Sequence, residues 1–137
     1  MSVVLDSSVA LAWLHADEGA PGLDAIFEQV VERGAFAPDL WRLEMANALT
    51  MSVRRGRISG DNRRDFLRNL AALSIAIDEH TGDHAWAVTI DLADRYELTV
   101  YDAAYLELAQ RLRLPLATLD RALARAAVAA GVQTLPQ

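Results

Sequence analysis

Ser2-Val3-Val4-Leu5-Asp6-Ser7-Ser8-Val9-Ala10-Leu11-Ala12-Trp13-Leu14 is the stretch on which the fold turns. The apolar run Val3-Val4-Leu5 reads as a buried strand, so Ser2 to Asp6 forms a first strand. Ser7 to Leu14 follows at once as a short helix opening on hydroxyl caps. The same strand-then-helix alternation recurs downstream. The segment His15 to Gly22 is a loop, Leu23 to Arg33 an amphipathic helix that Gly34 stops, and Ala35-Phe36-Ala37 a second strand ended by Pro38. Asp39 to Arg55 is a long helix, Gly56 to Gly60 a turn, and Asp61 to Leu73 another helix. Ser74 to Ile77 is a third strand. Thr81 to Tyr96 is one helix with Trp86, Ile90 and Ala93 on one face. Leu98 to Tyr101 is a brief strand, Asp102 to Arg113 a helix, and Leu116 to Thr118 a strand. Asp120 to Ala130 is an alanine-rich helix, and Gln133 to Leu135 a last edge strand. Strands alternating with helices of this length predict a three-layer α/β/α sandwich around a central, mainly parallel sheet.

Composition narrows the class. The 137 residues predict one domain over 1–137, long enough to bury a core, and 53% hydrophobic with 23% charged residues is a globular balance. No apolar stretch reaches the roughly 18 residues of a membrane span, so no membrane partner is expected and cytoplasm is the default compartment. Without cysteine, disulfide scaffolds and thiolate zinc or redox sites are excluded. The net charge of −6 argues against nucleic-acid binding by bulk electrostatics, but not against a nucleic-acid enzyme whose acidic site contributes to that charge. All 13 cationic residues are arginine. A Schiff-base lysine, a P-loop lysine and the lysine of a response-receiver domain are therefore absent. A haloacid-dehalogenase-type phosphatase needs a carboxylate two residues after the first, where Ser8 stands. Rossmann and P-loop glycine patterns are also missing.

Four carboxylates occupy unusual places. Asp6, Asp102 and Asp120 each follow an apolar run at an expected strand-to-helix junction, where ligands bind in open α/β sheets. Each is also a good helix N-cap, although Ser7 and Ser8 can cap the first helix equally well. Glu44 falls inside the apolar arc of Leu40, Trp41, Met45, Ala48 and Leu49. A carboxylate there has to be protonated, metal-bound, or paired, for instance with Arg42 or Arg54. Asn47, one turn on, is placed to hydrogen-bond a ligand or to orient the carboxylate, and Thr118 can offer a hydroxyl to a water or a phosphate oxygen. With no basic partner in these motifs, the set points to a divalent cation held by oxygen ligands. Six arginines (Arg54, Arg55, Arg57, Arg63, Arg64 and Arg68) crowd the Gly56–Gly60 turn. They form either a solvated hairpin or a surface for RNA phosphates or an acidic partner segment, with Arg54, Arg55 and Arg57 foremost.

The segments Val4-Leu5-Asp6-Ser7-Ser8-Val9, Glu44-Met45-Ala46-Asn47-Ala48-Leu49, Tyr101-Asp102-Ala103-Ala104-Tyr105-Leu106-Glu107-Leu108-Ala109 and Thr118-Leu119-Asp120-Arg121-Ala122-Leu123 together carry a resemblance. The chain resembles the PIN-domain ribonucleases, specifically the VapC kind of toxin from type II toxin–antitoxin pairs, over essentially its whole length. The resemblance implies a PIN-like fold and an endoribonuclease with Asp6 and Asp102 as the principal Mg²⁺ or Mn²⁺ ligands. It further implies Glu44 completing the site and Asp120 as a more peripheral carboxylate. Ser7 keeps the hydroxyl that many members carry as threonine. It also implies an RNA substrate, a cognate antitoxin and a homodimer. A metal-free ribonuclease needs a general acid and base, usually histidine. His15, His80 and His84 fall in none of the motifs, and the i,i+4 pair His80/His84, a formal zinc pattern, straddles an expected helix start at Gly82. The rival reading is a PIN-fold domain acting as a non-toxin nuclease or as a non-catalytic interaction module.

Overall fold

The computed structural model describes residues 1–15 and 21–137. Of the loop expected from His15 to Gly22, only His15 and the turn at Pro21 and Gly22 fall within these residues. Five parallel strands, β1 (Val3–Leu5), β2 (Ala35–Ala37), β3 (Ile75–Ile77), β4 (Leu116–Ala117) and β5 (Thr134–Leu135), lie in the order β3-β2-β1-β4-β5. Val4 pairs with Phe36 on one side and Leu116 on the other, so β1 is the central strand. That position explains its sequence. A parallel strand covered on both faces reads as an unbroken apolar run, and Val3, Val4 and Leu5 are all fully buried.

From β1 the chain steps outward through β2 to β3, then returns past its start to lay down β4 and β5. Right-handed crossovers place helices from opposite stepping directions on opposite faces. The helix contacts follow that division. α1 (Ser7–Leu14) packs on α2 (Leu23–Arg33) and α3 (Trp41–Arg54), and α3 on α4 (Gly60–Ala71). The other group is α5 (Thr81–His84), α6 (Val88–Tyr96), α7 (Val100–Leu112) and α8 (Arg121–Ala129), of which α5, α6 and α8 pack on α7. The reversal of direction lies between β1 and β4. In open α/β sheets this is where a crevice opens at the carboxyl ends of the strands.

Two expectations are corrected. Leu98 to Tyr101 is not a strand, because Thr99 caps α7 by accepting a hydrogen bond from the Asp102 backbone N–H (3.1 Å). The β-prone residues Val100 and Tyr101 become the exposed first turn of that helix. Thr99-Val100-Tyr101-Asp102 is a capping pattern, which local hydrogen bonding favours over extended structure. Asp102 therefore lies inside a helix and does not follow a strand. Thr81 to Tyr96 is likewise two helices. Ala87 is non-helical (φ −125°, ψ −99°), and the preceding bonds, Ala85 to Gly82 and Ala87 to His84, span three residues instead of four. Gly82 and the β-branched Val88-Thr89-Ile90 run weaken propagation on either side. Trp86 sits in that break with 92% of its surface exposed, not on an apolar face.

Helix α7 is the buried spine, with every residue from Ala103 to Ala109 buried. Its one buried charge, Glu107, is neutralised by Arg111 (2.8 Å), which also reaches Asp78 beyond β3 (2.6 Å). At the far side of β2, Gly34 ends α2 at φ +74°. A Cβ there would stand 2.7 Å from the Ser74 carbonyl oxygen, to which the Ala35 N–H donates. Gly131 shares a positive φ of +81° but faces open space. Gly34→Ala is therefore expected to lower the unfolding free energy in urea by more than about 1 kcal/mol, and by more than Gly131→Ala does. Equal losses at the two positions would count against the close approach as the cause.

Candidate active site

Asp6 leaves the carboxyl end of β1 and is 4% exposed. It stands at the N-cap of α1, yet its side chain makes no capping bond. Instead the Ser8 hydroxyl donates to Oδ2 (2.5 Å), and the Thr118 hydroxyl donates to the same oxygen (2.8 Å). Those hydroxyls are themselves committed by the turn after β4. Ser8 accepts from the Leu119 N–H (2.9 Å) and Thr118 from the Asp120 N–H (3.0 Å). Each backbone amide thus orients a hydroxyl, and each hydroxyl solvates the carboxylate.

The other acidic residues approach from three helices. Glu44, in the first turn of α3, is half-buried and pairs with neither Arg42 nor Arg54; the Tyr105 hydroxyl donates to its Oε1. Asp102, in the first turn of α7, is partly exposed. Asp120 does cap its helix, accepting from the Leu123 N–H (3.0 Å). Among the described residues none of the four forms an ion pair with arginine or histidine.

Their proximity shows in how each affects the others. Burial pushes the Asp6 carboxyl up; the Ser8 and Thr118 hydroxyls oppose this and the charge of Asp120 adds to it. Burial also raises Glu44, against the Tyr105 hydrogen bond and with the charges of Asp6 and Asp102. Asp102 is raised to about 6, first by burial, then by the charges of Asp120 and Asp6. Carboxyls raised together by burial and by one another's charge make a candidate functional site. As the side chains stand, no three acidic or histidine groups among the described residues enclose a common point at ligating distance. The four are coupled through their charges.

Of the supporting residues, Thr118 acts on Asp6 itself, and Ser7 is half-buried beside the Tyr105 phenol. Asn47 is exposed and makes no side-chain hydrogen bond among the described residues. Arg54, Arg55 and Arg57 are exposed and form no ion pair among the described residues, whereas Arg64 and Arg68 are tied to Asp61 and Asp65. His80 binds Asp83 on the surface (3.0 Å). Two contributors went unrecognised in the sequence, Ser8 as a donor to Asp6 and Tyr105 as the partner of Glu44. The signal for Tyr105 was its i+3 spacing from Asp102, which puts both on one helix face, and the need of a buried phenol for a partner. A cavity of about 540 Å³ between Met1, Gln110, Arg113 and Gln133 opens at the opposite, amino-terminal end of the strands, so room alone does not mark the site.

The PIN-domain family model matches residues 3–129 of the chain. The chain is 32% identical over 124 residues to Ribonuclease VapC3 of Pyrobaculum aerophilum, covering 90% of this chain and 93% of that protein. The crystal structure of PAE2754 from Pyrobaculum aerophilum superposes with a TM-score of 0.71 at 22% identity, over 98% of this chain and 90% of that one, which shows a shared fold.

The raised carboxyls set a pH dependence with a definite sign. Asp102 titrates at about 6 in the fold against 3.8 as an ordinary side chain. The folded protein thus holds the proton longer, and stability falls as pH rises through that window and stays reduced above it. Asp6 and Glu44 act in the same direction. Asp78 opposes them: although burial raises its carboxyl, Arg111 and Thr81 hold it low, so its contribution is lost only toward acid pH. Asp102→Asn is expected to raise the melting temperature at pH 7.5 in EDTA and to reduce the loss between pH 5 and 7.5. Calorimetry showing a melting temperature unchanged or lowered at pH 7.5 would contradict it.

Proposed function

Because the chain belongs to the PIN-domain family, we propose that it is a Mg²⁺-dependent endoribonuclease, the toxin of a type II toxin–antitoxin pair. The observation that supports this most is the gathering of Asp6, Glu44, Asp102 and Asp120 at the strand-order reversal with no cationic side chain among the described residues paired to them. Identity of 32% to a named ribonuclease across nearly the full length of both chains supports the nuclease reading.

An all-oxygen, multiply anionic donor set suits a hard cation. Asp6 and Asp102 would hold Mg²⁺, with Mn²⁺ as a substitute; Glu44 would complete the set, and Asp120 would sit more peripherally. When bound, the cation supplies Lewis acidity that polarises the scissile phosphate and makes water acidic enough to attack in line. The protein's own part is orientation. Ser8 and Thr118 both donate to Asp6 Oδ2, which fixes the orientation of the carboxylate. Thr118 is bound to that task, so its role is to position Asp6 rather than to contact phosphate. In-line attack by water leaves a 5′-phosphate and a 3′-hydroxyl, with no 2′,3′-cyclic intermediate.

Arg54 lies ten residues beyond Glu44 on α3, about 15 Å along the axis. A single strand whose scissile phosphate sits at the acidic site can therefore lay neighbouring phosphates on Arg54, Arg55 and Arg57. The same exposed arginines suit an acidic segment of the cognate antitoxin. Homodimerisation and a cytoplasmic location complete the reading; among the described residues no helix is long and apolar enough to cross a membrane.

RNA cleavage is expected in Mg²⁺ and not in EDTA. Asp6→Ala and Asp102→Ala should each lower kcat by at least about a hundredfold, the cost of removing one strong electrostatic stabiliser. Cleavage that persists in EDTA, or in both variants, refutes the proposal. In the Asp6→Ala background, reversing Arg54 and Arg55 to Glu should weaken RNA binding and flatten its logarithmic salt dependence by roughly 1.4 for two phosphate contacts on a single strand. An unchanged affinity and slope would remove the arginines from the interface.

A further inference from the structure

Tyr105 is a fully buried tyrosine in the spine helix α7, one turn beyond Asp102. A buried phenol has to find a hydrogen-bond partner. This one reaches across to α3, 61 residues earlier in the chain, and donates to Oε1 of Glu44. It is the only side chain among the described residues that hydrogen-bonds Glu44. The same phenol also feels the charge of Asp6 and the hydroxyl of Ser7. One rigid ring, locked by packing on all sides, thus touches or senses residues on both halves of the acidic site. Glu44 itself lacks such constraint. It lies on a partly exposed helix turn beside Leu43, which is 76% exposed, and has no ion-pair partner among the described residues.

We propose that Tyr105 is a positioning residue of the acidic site, holding Glu44 by Oε1 so that Oε2 is presented to the cation shared with Asp6 and Asp102. This rests on the metal-dependent reading given above. The principle is general: carboxylates that bind metals are oriented by hydrogen bonds from an outer layer of residues, and removing such a bond weakens metal affinity or activity. If Tyr105 merely satisfied its own hydroxyl, the loss of that hydroxyl would leave Glu44 solvated and the metal site unaltered.

The test is Tyr105→Phe, which keeps the ring and deletes the donor. Expected are a folded protein, Mn²⁺ affinity by calorimetric titration weakened by about tenfold, and a fall in kcat with KM for RNA unchanged. In a Glu44→Gln background the same substitution should add little further loss. Mn²⁺ affinity and kcat equal to wild type, or a loss that adds in full to that of Glu44→Gln, overturns the proposal. Should the variant fail to fold, wild type carrying 3-fluorotyrosine provides a second readout. Its Tyr105 ¹⁹F resonance, assigned by elimination with Tyr96→Phe and Tyr101→Phe, should move on Mg²⁺ titration and stay still in Glu44→Gln. A wild-type resonance that ignores Mg²⁺ overturns it equally. Asp6→Ala separates the two levels. If that variant binds Mn²⁺ as wild type does, the metal reading falls and takes this role with it. If Asp6→Ala loses Mn²⁺ and Tyr105→Phe keeps it, only the role of Tyr105 falls.

Discussion

A carboxylate at the end of a strand covered on both faces is cut off from bulk water, and an unsolvated charge is too costly for a fold to carry. Asp6 is in that position, 4% exposed after a fully buried β1. The protein supplies the missing solvation with two hydroxyls, from Ser8 and Thr118, each held in place by a backbone amide of the turn after β4. Much of the architecture serves that arrangement. The hydroxyl of Thr118 is in reach only because β4 lies beside β1, and β4 takes that place only because the chain reverses its direction of travel after β3.

Helix α7 meets the opposite demand, since it must be apolar enough to lie inside the molecule and still deliver polar groups at defined points. Its solution is to pair every buried polar group on the spot. Tyr105 bonds Glu44, and Glu107 is neutralised by Arg111, which also clamps Asp78 at the end of β3. Buried ion pairs of this kind are weak evidence for net stability. Their evident use here is registry: they fix how α7 lies against the sheet, and with it where Asp102 and Tyr105 emerge.

The sequence made the alternation of strands and helices legible because the central strands are short, wholly apolar and punctuated by Gly34, Pro38 and the hydroxyl caps. Asp6 and Glu44 stood out for a sound reason, a charge in an apolar setting. Asp102 was placed at a strand end because Leu98 to Tyr101 is rich in β-prone residues. The capping hydrogen bond of Thr99 outweighed that local preference. Helix periodicity carried the reading of Thr81 to Tyr96 across a break that only backbone geometry reveals, which misassigned Trp86. Ser8 and Tyr105 were hidden for a different reason. Tyr105 meets a partner 61 positions away, and the Ser8 hydroxyl, although it bonds Asp6 only two residues back, is oriented by the Leu119 amide 111 positions on. Neither residue type is unusual in its own neighbourhood.

That distance has a consequence for when the acidic site can exist. Asp6 and its donor Ser8 are made early, yet the second hydroxyl that solvates Asp6 belongs to Thr118, 112 positions later, and the partner of Glu44 lies 61 positions on. Contacts of such long range form late, because loop closure has to be paid before they are rewarded. A complete but partly folded chain therefore contains all four acidic residues without the long-range contacts that arrange them. Assembly of the acidic site is thus a report that β4 has docked beside β1 and α7 against α3.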